Sequence, residues 1–199
     1  MNNLKKILQS TLAMSTVVCL LSFGASAQTS SSNSSSHLSP ADKAFVDKAA
    51  QGGMAEVELG KLATEKAQSE DVKKFGERMV NDHSKADDQL KQLASQKGVT
   101  LPSSLDAKDQ ALKDRLSKLS GSQFDHAYMQ AMVQDHKKDV AEFQKESTSA
   151  KDPDVKNWAA QTLPTLQSHL QEAQQVRQAE LKKGSGKKGT ATASNQSSQ

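Results

Sequence analysis

This chain does with very little cysteine, aromatic surface or unbroken hydrophobic sequence. Of 199 residues, one is cysteine, four are proline, one is tryptophan, one is tyrosine and five are phenylalanine. The single cysteine, Cys19, lies in an apolar run that the leader reading below removes. The remaining chain then has no disulfide, thiolate metal site or cysteine nucleophile. Aromatics at 4%, hydrophobic residues at 35% and a mean hydropathy of −0.69 are low for a bulky β-sandwich. They suit Ala-, Leu-, Lys- and Gln-rich amphipathic helices with polar ends. An excess of one charge is also missing from the body. Lys5 and Lys6 near the start, with Lys182, Lys183, Lys187 and Lys188 near the end, more than account for the surplus of 26 basic over 23 acidic residues. The body is net acidic, which excludes binding of nucleic acid through a basic body.

Residues 1–27 read as a secretory signal: Lys5 and Lys6, an apolar run from about Ile7 to Phe23, then Ala25-Ser26-Ala27 with small residues at the cleavage point. The run is short of the ~20 apolar residues that a spanning helix needs, so no stable membrane span is expected after cleavage at Ala27. A periplasmic or secreted location follows. Residues 28–39 form a Ser-rich leader that buries nothing. Residues 40–183 are expected to form a single domain, and residues 184–199 a disordered basic tail.

Within the domain the apolar spacing predicts four long helices, over about 40–68, 71–97, 122–148 and 153–182. Ser39-Pro40 with Asp42 in the first turn starts the first helix. Gly98 stops the second. A long connection over 98–121 contains a short helix near 107–119. Pro164 is expected to kink or split the last helix. Two helical hairpins joined by one long connection give an all-α, ferritin-like four-helix bundle, because such a link lets the third long helix run parallel to the second. A shift of 83 positions pairs Phe45 with Tyr128, Glu56 with Asp139, Ala67 with Ala150 and Asp71-Val72-Lys73 with Asp154-Val155-Lys156, which suggests a duplicated hairpin.

Projected at about 100° per residue, the apolar faces carry four polar intruders: Glu56, His83, His136 and His169. Asp82, Ser84 and Lys85 project outward. Each of the four intruders lies near the middle of its helix, so the fold brings one carboxylate and three imidazoles into one layer. That set is a coordination shell for a divalent metal such as zinc, copper or iron. Asp139 and Asp87 lie on the faces of His136 and His83, placed to complete the shell or to orient imidazoles. Glu-x-x-His pairs are absent, with Val80 and Leu166 standing three residues before His83 and His169. A mononuclear site is therefore expected rather than a two-iron centre. The function implied is metal handling or protection against oxidants, and the implied partner is the metal ion. The competing reading is a non-enzymatic envelope structural or interaction protein, in which the same residues form a buried hydrogen-bond network. No serine stands beside an inward histidine in a recognisable nucleophile arrangement, which disfavours a hydrolase. Gly184-Ser185-Gly186-Lys187-Lys188-Gly189 has dinucleotide-type glycine spacing but follows a helix, with no strand before it. Met54, Met79, Met129 and Met132 read as gap-filling core.

Met79-Val80-Asn81-Asp82-His83-Ser84-Lys85, with Leu90, Leu93-Ala94, Gly98-Val99 and Leu101-Pro102, resembles the central signature of a group of exported bacterial ferritin-like proteins. The group is catalogued as domain-of-unknown-function family 4142, and its members are often labelled predicted outer membrane proteins. Ala55-Glu56-Val57-Glu58-Leu59-Gly60-Lys61-Leu62-Ala63 resembles its first-helix pattern, and Thr162-Leu163-Pro164-Thr165-Leu166 with His169-Leu170 its last. The resemblance spans about residues 40–178 and implies an exported four-helix bundle. It lends no reaction, and its recurrent histidines map onto His83, His136 and His169.

Overall fold

A computed structural model of the chain describes residues 38–190, with side chains through Lys183. The expected signal peptide, most of the Ser-rich leader and residues 191–199 lie outside the described residues. Among those described, five helices form and no strand: α1 (Pro40–Lys66), α2 (Glu70–Gln96), α3 (Ala107–Ser117), α4 (Gly121–Ser149) and α5 (Pro153–Thr190). No described helix is long and apolar enough to cross a membrane.

The helix ends follow local chemistry. Ser39 Oγ accepts the Asp42 amide at 3.1 Å, ahead of Pro40, which needs no donor in the first turn. Asp106 caps α3 through the Asp109 amide at 2.7 Å. Beyond α2, Gly98 adopts φ +63°, and Val99 N–H then reaches back to the Ala94 carbonyl at 2.8 Å. α5 runs unbroken through Pro164, so the split expected there does not occur. Leu163 and Leu166 are buried on either side of the proline, and this packing outweighs one lost backbone hydrogen bond. The backbone helix also passes Lys183 and reaches Thr190, beyond the end read from the sequence. Extending an established helix costs far less than starting one.

α1 packs along α2, and α4 along α5; α1 also touches α4, and α2 touches α5. The α1–α2 approach is very close, since a Cβ on Gly60 would stand 2.7 Å from the Gly76 carbonyl oxygen. Only glycine fits at that crossing. Two apolar clusters fill the bundle. One holds Leu59, Val72, Phe75, Met79, Leu116, Phe124, Tyr128 and Met132. The other holds Phe45, Val46, Leu90, Phe143, Val155, Trp158 and Leu166. α1 and α5 pass from the second cluster to the first, whereas α2 and α4 pass from the first to the second. α2 and α4 therefore run parallel, and the connection through α3 makes the long crossing.

The 83-position correspondence has a structural counterpart that the apolar pattern does not reveal. Asp42, near the start of α1, accepts the amides of Lys151 and Asp152, each at 3.0 Å, in the α4–α5 turn. Asp125, near the start of α4, accepts the amides of Gln68 and Ser69, each at 3.0 Å, in the α1–α2 turn. The same 83-position shift relates donor to donor and acceptor to acceptor. Each hairpin thus ties down the turn of the other, and the two carboxylates fix the heights at which the long helices pair.

Candidate metal centre

Between the two apolar clusters lies a polar layer with one residue from each long helix: Glu56 on α1, His83 on α2, His136 on α4 and His169 on α5. Their residual exposures are 2%, 6%, 0% and 0%. Ring centroids lie 5.7 Å apart for His83 and His136, and 5.3 Å apart for each of these with His169. One ring nitrogen from each falls within 4.8 Å of the others. Three nitrogens on one ion at about 2.0–2.1 Å stand roughly 3.4 Å apart, so a contraction of at most about 1.4 Å would close a shell.

The hydrogen bonds decide which nitrogens face inward. His136 Nδ1 lies 3.1 Å from the Met132 carbonyl, which only accepts, so Nδ1 carries the hydrogen. His169 Nε2 lies 2.9 Å from Asp82 Oδ2 and donates to it. His83 Nδ1 lies 2.8 Å from Glu56 Oε2. His136 and His169 are thereby each held from outside by an oxygen, which leaves His136 Nε2 and His169 Nδ1 with bare lone pairs, and the contact of His83 Nδ1 with Glu56 leaves His83 Nε2 as the third inner nitrogen. All three are buried without a hydrogen-bond partner, and so is Glu56 Oε1. Glu56 Oε1 stands 3.2 Å from His136 Nε2, at an orientation that makes no hydrogen bond. Three nitrogens and one oxygen, one from each long helix, are therefore left over at one level of the bundle. An oxygen behind the ring, as at His136 and His169, is the arrangement that orients histidines around a metal.

Burial sets the electrostatics. Burial lowers the pKa of His83, and it brings His169 down to about 3 against the pull of the Asp82 hydrogen bond. Both rings are neutral near pH 7, as ligands must be. Burial pushes Glu56 up to about 8, opposed by His136 and reinforced by Asp135 and Asp87. Its 2.8 Å contact with His83 therefore joins two neutral groups near pH 7 and is not an ion pair. Asp139 rises to about 9 through burial, with Glu56 and Asp135 adding to it, and burial raises Asp87 to about 6.

Asp139 and Asp87 take places other than those expected. Neither hydrogen-bonds to an imidazole. Asp139 gathers with Glu56 and Asp135, one oxygen of each within 4.8 Å of the others, while Asp87 belongs to neither close ligand group. Sequence reasoning missed two members of this neighbourhood. One is Asp135, adjacent to His136. The other is Asp82, which helical projection turns outward, yet whose carboxylate crosses to His169. Arg78 Nε holds Asp82 at 3.3 Å, and the same guanidinium pairs with Glu172 and with Ser168 Oγ at 3.0 Å. Burial works against ionised Asp82, but the hydrogen bonds from His169 and Arg78 win and hold its carboxyl below the usual range. The available signal was an Arg-x-x-x-Asp pair one turn apart beside an inward histidine. His126 lies apart from this layer, with Nε2 at 3.1 Å from the Glu180 carbonyl.

Four long helices around one buried Glu/His layer define an all-α bundle with a metal-type ligand set. The chain belongs to the DUF4142 family, a domain of unknown function, matched over residues 27–176. No curated protein matches it. Its fold is similar to the crystal structure of a DUF305 fragment from Deinococcus radiodurans, with a TM-score of 0.64 over 72% of this chain and 99% of that one. The two are 17% identical, so the likeness is one of fold alone.

Proposed function

We propose that the protein binds one divalent metal ion at mid-bundle through His83 Nε2, His136 Nε2, His169 Nδ1 and Glu56 Oε1. We further propose that it works as an exported metal-handling or oxidant-protection protein of the cell envelope. The observation that carries the metal reading is the meeting of three buried imidazoles in one close group, with a ring nitrogen of each, and Glu56 Oε1 beside them, left unpartnered. Lone pairs cannot satisfy one another. A protonated Glu56 could donate to His136, but His83 Nε2 and His169 Nδ1 would still lack donors. At roughly 1–3 kcal/mol for each unmet buried group, four such atoms would cost about 4–12 kcal/mol. That is comparable with the whole net stability of a domain, about 5–15 kcal/mol. A cation removes all four deficits at once. A three-nitrogen, one-oxygen set suits zinc, copper or iron.

A second reading has its own support. Glu56 spans His83 and His136 at 2.8 and 3.2 Å, the start of a purely structural polar network in an inert envelope or interaction protein. Metal analysis of the purified protein after dialysis against zinc, copper or iron separates the two. One ion per chain, lost when His83→Ala and His136→Ala are combined, is the result expected for the metal centre. No stoichiometric ion leaves the structural network.

A further inference from the structure

Charge is arranged differently between α3 and α4 than elsewhere in the bundle. At other seams a cation on one helix meets a carboxylate on the next: Lys48 of α1 with Glu142 of α4, Arg78 of α2 with Glu172 of α5, and Lys113 of α3 with Glu58 of α1. Between α3 and α4 lies an open groove of about 360 Å³, with Lys108 and Arg115 on the α3 wall, Lys138 on the α4 wall, and Leu112 and Ala131 as apolar lining. That volume falls in the roughly 300–1,000 Å³ range of small-ligand sites. Lys108 and Arg115 are seven residues apart, so they share a face of α3 and their backbones stand about 10 Å apart along it. Among the described residues, neither Arg115 nor Lys138 is paired with a carboxylate. Lys108 reaches its neighbour Asp109 at 3.4 Å. The one acid in the lining, Asp135, is half-buried and gathers with Glu56 and Asp139, so it offsets at most one of the three positive charges.

Like charges held close together on helices are unfavourable, and here two helices bring them to one concave surface. The body as a whole is net acidic, so the groove stands out against its surroundings. An anion seated there turns the repulsion into attraction. Arg115 offers a planar fork of donors that matches an oxyanion, and the two lysines add point charges. A carboxylate has two oxygens in one plane, whereas the tetrahedral oxygens of a phosphate meet donors on both walls at once.

We propose that the α3–α4 groove binds a phosphate group, held by Arg115 and Lys138 with Lys108 at one end. The group is that of free inorganic phosphate or of a phosphodiester lipid headgroup, which present the same oxygens to the same three side chains. The site shares no ligand with the histidine layer and needs no metal.

The test uses the full chain stripped of metal with a chelator and then dialysed, so that no anion is held by an ion. Isothermal titration calorimetry at constant ionic strength is run with inorganic phosphate, and separately with glycerophosphoglycerol, the deacylated headgroup of phosphatidylglycerol. One saturable site is expected. Uptake of inorganic phosphate identifies a free-ion site, and uptake of the diester alone a headgroup site. Arg115→Gln combined with Lys138→Gln should weaken binding at least about tenfold, since two charge-assisted contacts are lost. Lys43→Gln combined with Lys73→Gln removes the same charge from surface pairs and should leave affinity within about twofold. Arg115 and Lys138 are exposed, so the first variant should keep parental helicity by circular dichroism, which separates lost binding from lost folding. Equal affinity in the parent and the Arg115/Lys138 variant overturns the proposal. So does an equal loss in both double variants, or no uptake of either probe by the parent at millimolar concentration.

Discussion

The histidine layer makes a quantitative demand on thermal stability. An ion that binds only the folded chain adds RT ln(1 + [L]/Kd), about 2.7 kcal/mol when free metal is 100-fold above Kd. For a domain of this size each kcal/mol moves the midpoint by about 2–4 °C, so zinc should raise Tm by roughly 5–11 °C. Combining His83→Ala with His136→Ala removes two of the four donors and both nitrogens on α2 and α4, leaving His169 and Glu56 on the other two long helices. The variant should lose the zinc increment entirely, whatever the deletion of two buried rings does to its own metal-free midpoint. Calorimetry in chelator and then in buffered zinc measures the increment directly for each protein. An equal zinc increment in parent and variant would refute the reasoning, because the stabilising ion would then sit elsewhere. No increment in either would leave the buried layer as a hydrogen-bond network.

Other outcomes follow from the same geometry. Glu56 has a folded pKa raised to about 8 from 4.5, so the folded state holds a proton that the unfolded state releases. Metal-free stability should therefore fall as pH rises from about 4.5 toward 8, while zinc affinity should climb roughly tenfold per pH unit in that window as the ion displaces the proton; Glu56→Gln should lessen the stability slope, to which Asp139 and Asp87 still contribute with the same sign, and flatten the zinc profile in competition titrations. Asp82→Ala frees the His169 ring from its outer oxygen and is expected to weaken zinc about 10–100-fold with little loss of helicity, read by competition with a chromophoric chelator. Asp42→Ala and Asp125→Ala each strand two backbone amides at opposite ends of the bundle; each should cost about 2–4 kcal/mol in urea unfolding, and the two should add. Gly60→Ala should cost about 1–3 kcal/mol by the same assay, since its Cβ meets the Gly76 carbonyl across the α1–α2 crossing.

Helix existence, helix order and the inward direction of Glu56, His83, His136 and His169 were legible because each depends on periodicity within one segment. A polar residue on an apolar stripe is buried wherever that stripe packs. The long connection likewise implied a parallel α2 and α4, because chain length limits which helix ends it can join. The continuity of α5 through Pro164 was not legible. Local propensity predicts a break there, and only the packing of Leu163 and Leu166 on both sides of the proline overrides it.

The sequence by itself therefore determined that one carboxylate and three imidazoles must enter the interior at similar heights. Tertiary structure alone decided what stands behind and beside them: Asp82 reaching His169 from another helix, Asp135 joining Glu56 and Asp139, Asp87 packed over Gly53, and Asp42 and Asp125 each tying the other hairpin's turn. The reason is physical. Which way a side chain faces on its own helix is set by a repeat of 3.6 residues, but which atom it meets depends on how helices distant in sequence are rotated and raised against each other.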